Sequence, residues 1–429
     1  MTTFAGFAFG CRVNQAEKQT FDRELLRANF TYQENRPDFY IINSCAVTAK
    51  AEKETRKLIH LVSRKWPKTK IILTGCAATK WKSFEGVELI PNSEKDQIAS
   101  YLVRRLEGSD LVLRTRSDPL PVPGKYRASG RLLVKIQDGC NQFCSFCIVP
   151  YLRGQPKSRK IKDIIAEINS YPNIREVILT AINTQAFGQD TGESFIDLLQ
   201  SVLNLTAAAR ISLGSLHPWS LDDKFLDFYQ KVLPLNRLVN YFHVPTQSGS
   251  DKILIAMKRG YTIKEISNKL QKLYDINPLS LIGTDIIVGF PGETDTDFKQ
   301  TYEFLKISPI VKFHTFKFSA RVGTAAYLLS KKIGEPTPPE KQKRSKALEE
   351  LGKHKYQSFL ETHIGKSFQA LFLEKRINGF QEALLSNQIP VLVKTPKDLT
   401  GKIKIVSISP TLSTTSSQNK VTLSSTQST

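Results

Sequence analysis

Three cysteines fall within eight residues of this chain, Cys140-Asn-Gln-Phe-Cys144-Ser-Phe-Cys147. Thiols this close cannot be dispersed through a core, so they converge on one centre. A structural zinc site wants four ligands, usually as two pairs, and this motif supplies three. Three thiolates suit a four-iron cluster with one iron left open to a ligand from outside the protein. Zinc completed by a distant His217 or His243 is the alternative reading.

The motif follows an apolar run at 132–137 that reads as a strand. Further strands are predicted at 176–181, 210–216, 238–244, 281–288 and 312–318. Amphipathic helices are predicted between them at 161–171, 194–205, 222–232, 262–274 and 295–305. Strand–helix alternation of this kind is a partial or complete (β/α)6 barrel. Chemistry in such a barrel sits on the loops after the strands, and the cysteine motif is the first of those loops.

The other three cysteines, Cys11, Cys45 and Cys76, each follow a short apolar run and one small residue, namely Gly10, Ser44 and Gly75. Helices are predicted near 15–29, 49–65 and 96–106. This is the pattern of a flavodoxin- or Rossmann-like parallel sheet, in which ligand groups sit at the carboxyl ends of strands. Three neighbouring strand ends would gather the three thiols. Unrelated buried core cysteines are the alternative.

The expected organisation is α/β throughout, with a parallel-sheet domain at 1–116 and a linker at 117–130. The linker contains Pro119, Pro121 and Pro123, which break regular structure. The barrel occupies 131–350, with a Pro-rich basic stretch at 331–346. A leading helix and a small β-barrel follow at 351–409, with strands at 368–373, 389–394 and 402–408. The Ser/Thr-rich end, 410–429, is expected to be disordered.

Lys and Arg outnumber Asp and Glu by 61 to 40, a net charge of +21. Such an excess points to a polyanionic partner, nucleic acid before an anionic membrane. No run of about 18 apolar residues is present, which argues against a spanning helix. The N-terminus lacks the basic start of an export signal, so a reducing, cytoplasmic setting is expected. Clusters at Arg56, Lys57, Arg64, Lys65, Lys68 and Lys70, and at Lys341, Lys343, Arg344 and Lys346, read as phosphate contacts.

The sequence around the cysteines resembles a known family. Val134-Lys-Ile-Gln-Asp-Gly-Cys-Asn-Gln-Phe-Cys-Ser-Phe-Cys-Ile-Val-Pro-Tyr-Leu-Arg-Gly154 is similar to radical SAM enzymes. With Gly10-Cys-Arg-Val-Asn-Gln-Ala-Glu17, Asn43-Ser-Cys-Ala-Val-Thr48 and Gly75-Cys76, it resembles the radical SAM methylthiotransferases. Val244-Pro-Thr-Gln-Ser-Gly-Ser-Asp251, Asp285-Ile-Ile-Val-Gly-Phe-Pro-Gly-Glu-Thr294 and Phe318-Ser-Ala-Arg-Val-Gly-Thr324 extend the match. The likeness runs to about residue 409, where the last domain resembles a TRAM domain, although 381–388 lacks that domain's glycine and aromatic pattern.

The resemblance implies two [4Fe-4S] clusters. Cys11, Cys45 and Cys76 would hold an auxiliary one, and Cys140, Cys144 and Cys147 one whose open iron binds S-adenosylmethionine. It implies replacement of an aromatic C–H on adenine by S–CH3, a reaction that needs a radical because that C–H is not acidic. The motifs look most like the subfamily acting on threonylcarbamoyladenosine in tRNA. Isopentenyladenosine in tRNA, or an aspartate of a ribosomal protein, are the alternatives within the family. A non-enzymatic RNA-binding metalloprotein is the alternative outside it. The implied partners are tRNA, a reductant protein and a sulfur source. Phe146 would pack near the adenine of S-adenosylmethionine, Asn183 would bond its methionyl or ribose part, and Gln247 and Ser248 would face the same mouth. Gly289, Gly292 and Glu293 would shape the fifth barrel loop, and His243 reads as a satisfied core histidine.

Overall fold

The computed structural model describes residues 2–105, 129–171, 173–408, 413–415 and 420–422. Most of the expected linker lies outside the described residues. Strands β1 (Thr3–Ala8), β2 (Thr31–Tyr32), β3 (Phe39–Ser44), β4 (Lys70–Gly75) and β5 (Val87–Ile90) form one parallel sheet in the order β2-β1-β3-β4-β5. Its central strands are continuous apolar runs, as both-face burial requires, and Ile41, Ile42, Ile72 and Leu73 are buried. Helices α1 (Arg12–Arg27), α2 (Ala49–Lys65), α3 (Cys76–Lys80) and α4 (Ile98–Arg105) accompany the sheet. Thr48, the last residue of the Cys45 motif, caps α2 by accepting from the Ala51 N–H at 3.2 Å. The three cysteine-bearing strand ends belong to β1, β3 and β4, which are adjacent.

The second block contains β6 (Arg131–Asp138), the short antiparallel β7 (Lys157–Ser158), β8 (Glu176–Ala181), β9 (Arg210–Leu213), β10 (Tyr241–His243), β11 (Leu281–Val288) and β12 (Lys312–Lys317). The parallel order is β6-β8-β9, then β10-β11-β12, and an isolated bridge from Ile211 to Leu238 joins the two halves. No pairing joins β12 back to β6 or β7 among the described residues, so the barrel stays open on one side. The third and fourth barrel strands are shorter than 210–216 and 238–244: the third ends at Leu213, and the fourth is Tyr241–His243, with Leu238 reduced to an isolated bridge with Ile211. Helices α5 (Val149–Arg153), α6 (Ile161–Asn169), α7 (Phe195–Leu205), α8 (Asp223–Val232), α9 (Asp251–Ala256), α10 (Ile263–Ile276), α11 (Asp295–Ile307), α12 (Ala325–Ile333) and α13 (Pro338–Glu361) complete it. The Pro-rich stretch at 331–346 starts α13: Pro338 enters its first turn and Thr337 pairs with Glu340 in a capping box.

Helix α1 belongs to both blocks. Leu132, Val134, Val177 and Leu179 pack in the main barrel core. The alternate residues Leu133 and Ile178 cluster instead with Ala16 of α1. Successive side chains on a strand point to opposite faces, so α1 lies against the inner side of β6 and β8.

The last strands are β13 (Ser367–Ile377), β14 (Phe380–Leu385), β15 (Pro390–Lys394), β16 (Ile403–Ser407), β17 (Ser413–Thr415) and β18 (Lys420–Thr422), in the order β16-β13-β14-β15-β18-β17. Together they make a half-barrel. Strand β14 is absent from the sequence expectations; its signal is Asn378-Gly379, both at positive φ, which closes a two-residue hairpin. The tail, expected to be disordered, instead supplies β17 and β18, with β18 pairing on β15. Thr and Val favour strands, and the free edge of β15 offers unpaired backbone groups to meet them. The half-barrel covers the N-terminal ends of the barrel strands. Tyr241, Leu281 and Val311 share a core with Phe372, Leu385 and Val391, and Arg210 donates to Leu384 O and Leu385 O at 2.7 and 2.9 Å. The Cys140 loop lies at the opposite ends of those strands.

Candidate active site

Cys11 is the N-cap of α1, Cys45 follows β3 directly, and Cys76 opens α3. The small residues before two of them answer to geometry. Gly10 has φ +83°, and a Cβ there would meet Cys45 Sγ at 2.8 Å. Gly75 has φ +87°, and a Cβ there would meet Ser44 O at 2.4 Å. Only glycine allows both the left-handed backbone and the close approach of the neighbouring strand end.

The Cys140 loop is tied down by backbone bonds, from Cys140 N–H to Gly154 O at 3.1 Å and from Cys147 N–H to Cys144 O at 2.9 Å. Ser145 anchors it to the fourth barrel loop by donating to Ala256 O at 2.7 Å. Phe146 is half-buried and packs toward Met257, Phe290 and Phe318.

All six cysteines line one cavity of about 560 Å³ between the parallel sheet and the barrel mouth. Polar donors reach the sulfur atoms. Arg259 Nη1 lies 3.3 Å from Cys144 Sγ, Asn183 Nδ2 3.7 Å from Cys140 Sγ, and Asn92 Nδ2 3.8 Å from Cys76 Sγ. Burial pushes the Cys45 and Cys147 thiols up to about 12, and raises Cys11 and Cys140 as well, with Arg153 partly offsetting the rise at Cys11. Such thiols keep their protons at neutral pH until a metal displaces them. Among the described residues no three His, Cys, Asp or Glu side chains gather tightly enough for a single metal ion. A four-iron cluster places its thiolates on different irons, so it suits sulfurs that share a cavity without crowding, and N–H donors aimed at sulfur are its usual surroundings.

A buried charged network locks the two halves of the cavity together. Glu17 on α1 meets Arg153 Nη1 at 3.0 Å, Lys95 at 2.7 Å and Lys135 at 3.1 Å. Asp138 meets the same three cations. Arg153 and its neighbours Lys135 and Lys95 hold Glu17 down at about 2 despite burial. Arg153 also donates to Asn14, whose amide donates to Phe9 O and Ser44 O. Thus the last residue of α5, just beyond Cys147, holds the loop ends that carry Cys11 and Cys45. A larger cavity of about 1070 Å³ shares Arg153 but is lined by charged side chains and no cysteine.

Gln247 lines the cysteine cavity with φ +72°, a strained conformation for a non-glycine residue. Asn183 caps the turn after β8 by accepting from the Gln185 N–H at 3.1 Å while its amide faces Cys140. Ser248 departs from expectation. It is 1% exposed, does not line the cavity, and its hydroxyl meets Thr301 and the Ser250 N–H instead. The chain reverses at Gln247 and carries Ser248 behind the wall. His243 is a cavity residue, with Nε2 3.0 Å from Asp285 and a buried Nδ1 that has no partner among the described residues. Glu293 accepts from the Gly289 N–H at 2.6 Å and so shapes the fifth loop as expected.

The second basic cluster also divides. Lys341 is buried against Glu335 at 3.0 Å, and Arg344 against Glu293 at 2.6 Å, so neither is free for phosphate. Lys343 and Lys346 are exposed, as are all six cations of the first cluster. Arg259 and Asn92 have no local signal, Arg259 standing 115 residues from Cys144 in sequence, while Arg153 lies within the motif around the Cys140 loop but gave no sign of its role.

Two family models match the chain, the Radical SAM superfamily over residues 134–305 and the uncharacterized protein family UPF0004 over residues 3–92. A threonylcarbamoyladenosine tRNA methylthiotransferase MtaB from Aquifex aeolicus is 33% identical over 386 residues, covering 85% of this chain and 92% of that protein. Its Bacillus subtilis namesake is 29% identical over 427 residues, covering 95% and 94%. A tRNA-2-methylthio-N(6)-dimethylallyladenosine synthase from Oleidesulfovibrio alaskensis is 30% identical over 391 residues, covering 86% and 83%. Among solved structures, the radical S-adenosylmethionine methyltransferase TsrM from Kitasatospora setae superposes with a TM-score of 0.52 at 14% identity, covering 73% of each chain, a likeness of fold. The fold and the cysteine loop define a radical SAM enzyme. The chain belongs to the radical SAM methylthiotransferase family, and with the family come S-adenosylmethionine and a [4Fe-4S] cluster. No helix among the described residues is long and apolar enough to cross a membrane.

Proposed function

We propose that this protein installs a methylthio group at carbon 2 of N6-threonylcarbamoyladenosine in tRNA. One observation carries the reading: two triplets of thiols, from two separate blocks of the fold, line a single cavity. In this reading Cys140, Cys144 and Cys147 hold the cluster that binds S-adenosylmethionine, and Cys11, Cys45 and Cys76 hold a second [4Fe-4S] cluster. The two clusters with S-adenosylmethionine supply a carbon-centred radical for an unactivated aromatic C–H and a methylthio group to replace the hydrogen.

The chain's own residues position these groups. Arg259, Asn183 and Asn92 donate to cysteine sulfurs and orient them. Phe146 and Gln247 wall the side of the cavity next to the Cys140 loop, where S-adenosylmethionine would bind. Arg153 and Glu17 hold the two thiol sets in one register. Residues 1–116, 131–350 and 351–409 divide the work as second-cluster domain, barrel and TRAM-like domain. The exposed cations Arg56, Lys57, Arg64, Lys65, Lys68 and Lys70 on and beside α2 contact tRNA phosphates. A reductant protein and a sulfur source complete the requirements.

The threonylcarbamoyl substrate is favoured by relatives named for it at 33% and 29% identity over most of the chain. Mass spectrometry of tRNA nucleosides from a strain lacking the gene tests it. The methylthio derivative of threonylcarbamoyladenosine disappears and returns with the wild-type gene but not with Cys144→Ala. Its persistence in the deletion strain, with no second such enzyme present, overturns the reading.

A further inference from the structure

Among the described residues the cavity floor carries more positive than negative charge. Arg12 reaches from the start of α1 to the barrel mouth, and among the described residues its Nη1 bonds to backbone alone, to Leu213 O at 3.3 Å and Gly214 O at 3.4 Å. Among the described residues it has no carboxylate partner, and it lines the cysteine cavity. On the facing barrel wall, β12 places Lys312 two residues before His314, on the same side of the strand, and His314 lines the cavity. Lys312 Nζ sits 5.7 Å from the centre of the Tyr241 ring and likewise lacks a carboxylate partner among the described residues. Burial, with Arg12 close by, lowers the Lys312 pKa. The one acid lining the cavity among the described residues, Asp285, lies 3.0 Å from His243 Nε2, and its single charge is one short of the two cations.

At Gly283 the His243 and Tyr241 side chains come close to the strand backbone beside these cations. Gly283, paired with both His243 and Lys312 across the sheet, has no side chain, and a Cβ there would stand 3.2 Å from His243 Nδ1. That Nδ1 is buried and unpartnered, in a side chain 10% exposed. Two cations brought together repel each other, and an anion entering between them relieves the cost.

Resting on the substrate proposed above, we infer that Arg12, with Lys312, receives the carboxylate of the threonyl arm and so selects an anionic N6 substituent over a neutral one. An isopentenyl arm has no group to pair with Arg12 and would leave the excess positive charge uncompensated. Arg12 and Lys312 are positioning residues here; the cysteine centres are unchanged by the assignment.

The test uses cluster-loaded enzyme and short anticodon stem-loop RNAs carrying either threonylcarbamoyladenosine or its neutral carboxamide analogue. Wild type should show a KM lower by about tenfold or more for the carboxylate RNA, the size expected for a charged hydrogen bond. Arg12→Gln and Lys312→Met should raise KM for that RNA and leave KM for the carboxamide RNA nearly unchanged, while Arg12→Lys recovers part of the preference. Iron content is measured on every variant, and Lys312→Met, remote in sequence from all cysteines, decides the matter if Arg12→Gln loses iron. Equal losses on the two RNAs in Lys312→Met, or no wild-type preference, overturn this inference alone. A wild type active on isopentenyladenosine RNA and inactive on both threonylcarbamoyl RNAs overturns the substrate reading together with it.

Discussion

Arg153 Nη1 stands 3.0 Å from Glu17 Oε1, so the residue that ends α5 is paired with the helix that Cys11 begins. Both side chains are 1% exposed. Cutting one partner from a buried pair strands the other charge, at a cost of about 3–5 kcal/mol. Glu17→Ala should therefore lose about that much stability in urea unfolding of the metal-free protein. A loss under about 1 kcal/mol, the size of an exposed ion pair, would mean that the network does not join the two blocks.

The same pair gives a pH dependence with a defined sign. Glu17 is pulled down to about 2 in the folded protein, below the roughly 4.3 of an unfolded glutamate. Its contribution is complete above that value and is lost as pH falls toward 2. The stability gap between wild type and Glu17→Gln should shrink between pH 5 and pH 3. A gap that stays constant there would contradict the assignment.

The alternation of strands and helices, the presence of six barrel strands and the gathering of Cys11, Cys45 and Cys76 at neighbouring strand ends were legible in the sequence, because short apolar runs ending in a small residue and a cysteine mark strand ends. Strand β14 was missed although Asn378-Gly379 announced its hairpin. Residues whose role depends on tertiary approach left no trace. Arg259 comes to Cys144 only because the fourth barrel loop folds over the first. Lys341 and Arg344 look like surface charge in sequence, yet α13 packs that face onto the loops after the fifth and sixth barrel strands. Ser248 and Gln247 are neighbours in sequence, and the positive φ at Gln247 sends them to opposite sides of the wall.

Arg259 places a positive charge 3.3 Å from Cys144 Sγ. Hydrogen bonds and positive charge at a cluster's sulfur raise its reduction potential. Arg259→Gln should lower the potential of the cluster on the Cys140 loop, read by redox titration with electron paramagnetic resonance, at unchanged iron content. An unchanged potential would assign Arg259 to its bonds with Pro245 O and Tyr261 alone.

Thiols pushed up to about 12 by burial, as at Cys45 and Cys147, are neutral at pH 8, where a free cysteine of pKa about 8.5 is partly thiolate. In metal-free protein their alkylation by iodoacetamide at pH 8 should be slower than that of free cysteine by about tenfold or more. The rate should climb steadily as pH rises to 10. Rapid labelling at pH 7, with no pH dependence, would contradict the burial of these groups.

If the exposed cations around α2 contact phosphates, tRNA affinity should fall steeply with salt, with a log–log slope of several units. Reversing Arg64, Lys65 and Lys68 to Glu should weaken binding and flatten that slope. A slope unaltered by the reversal would move the RNA interface elsewhere on the molecule.

The central claim, two cysteine triplets each carrying its own cluster, is tested most directly by iron and sulfide content with Mössbauer spectra on anaerobically reconstituted protein. Wild type should hold about eight irons as two four-iron clusters. The triple alanine variant of Cys11, Cys45 and Cys76, and the triple alanine variant of Cys140, Cys144 and Cys147, should each hold about four. A wild type that saturates at about four irons, or a triple variant that keeps the full wild-type complement, would contradict it.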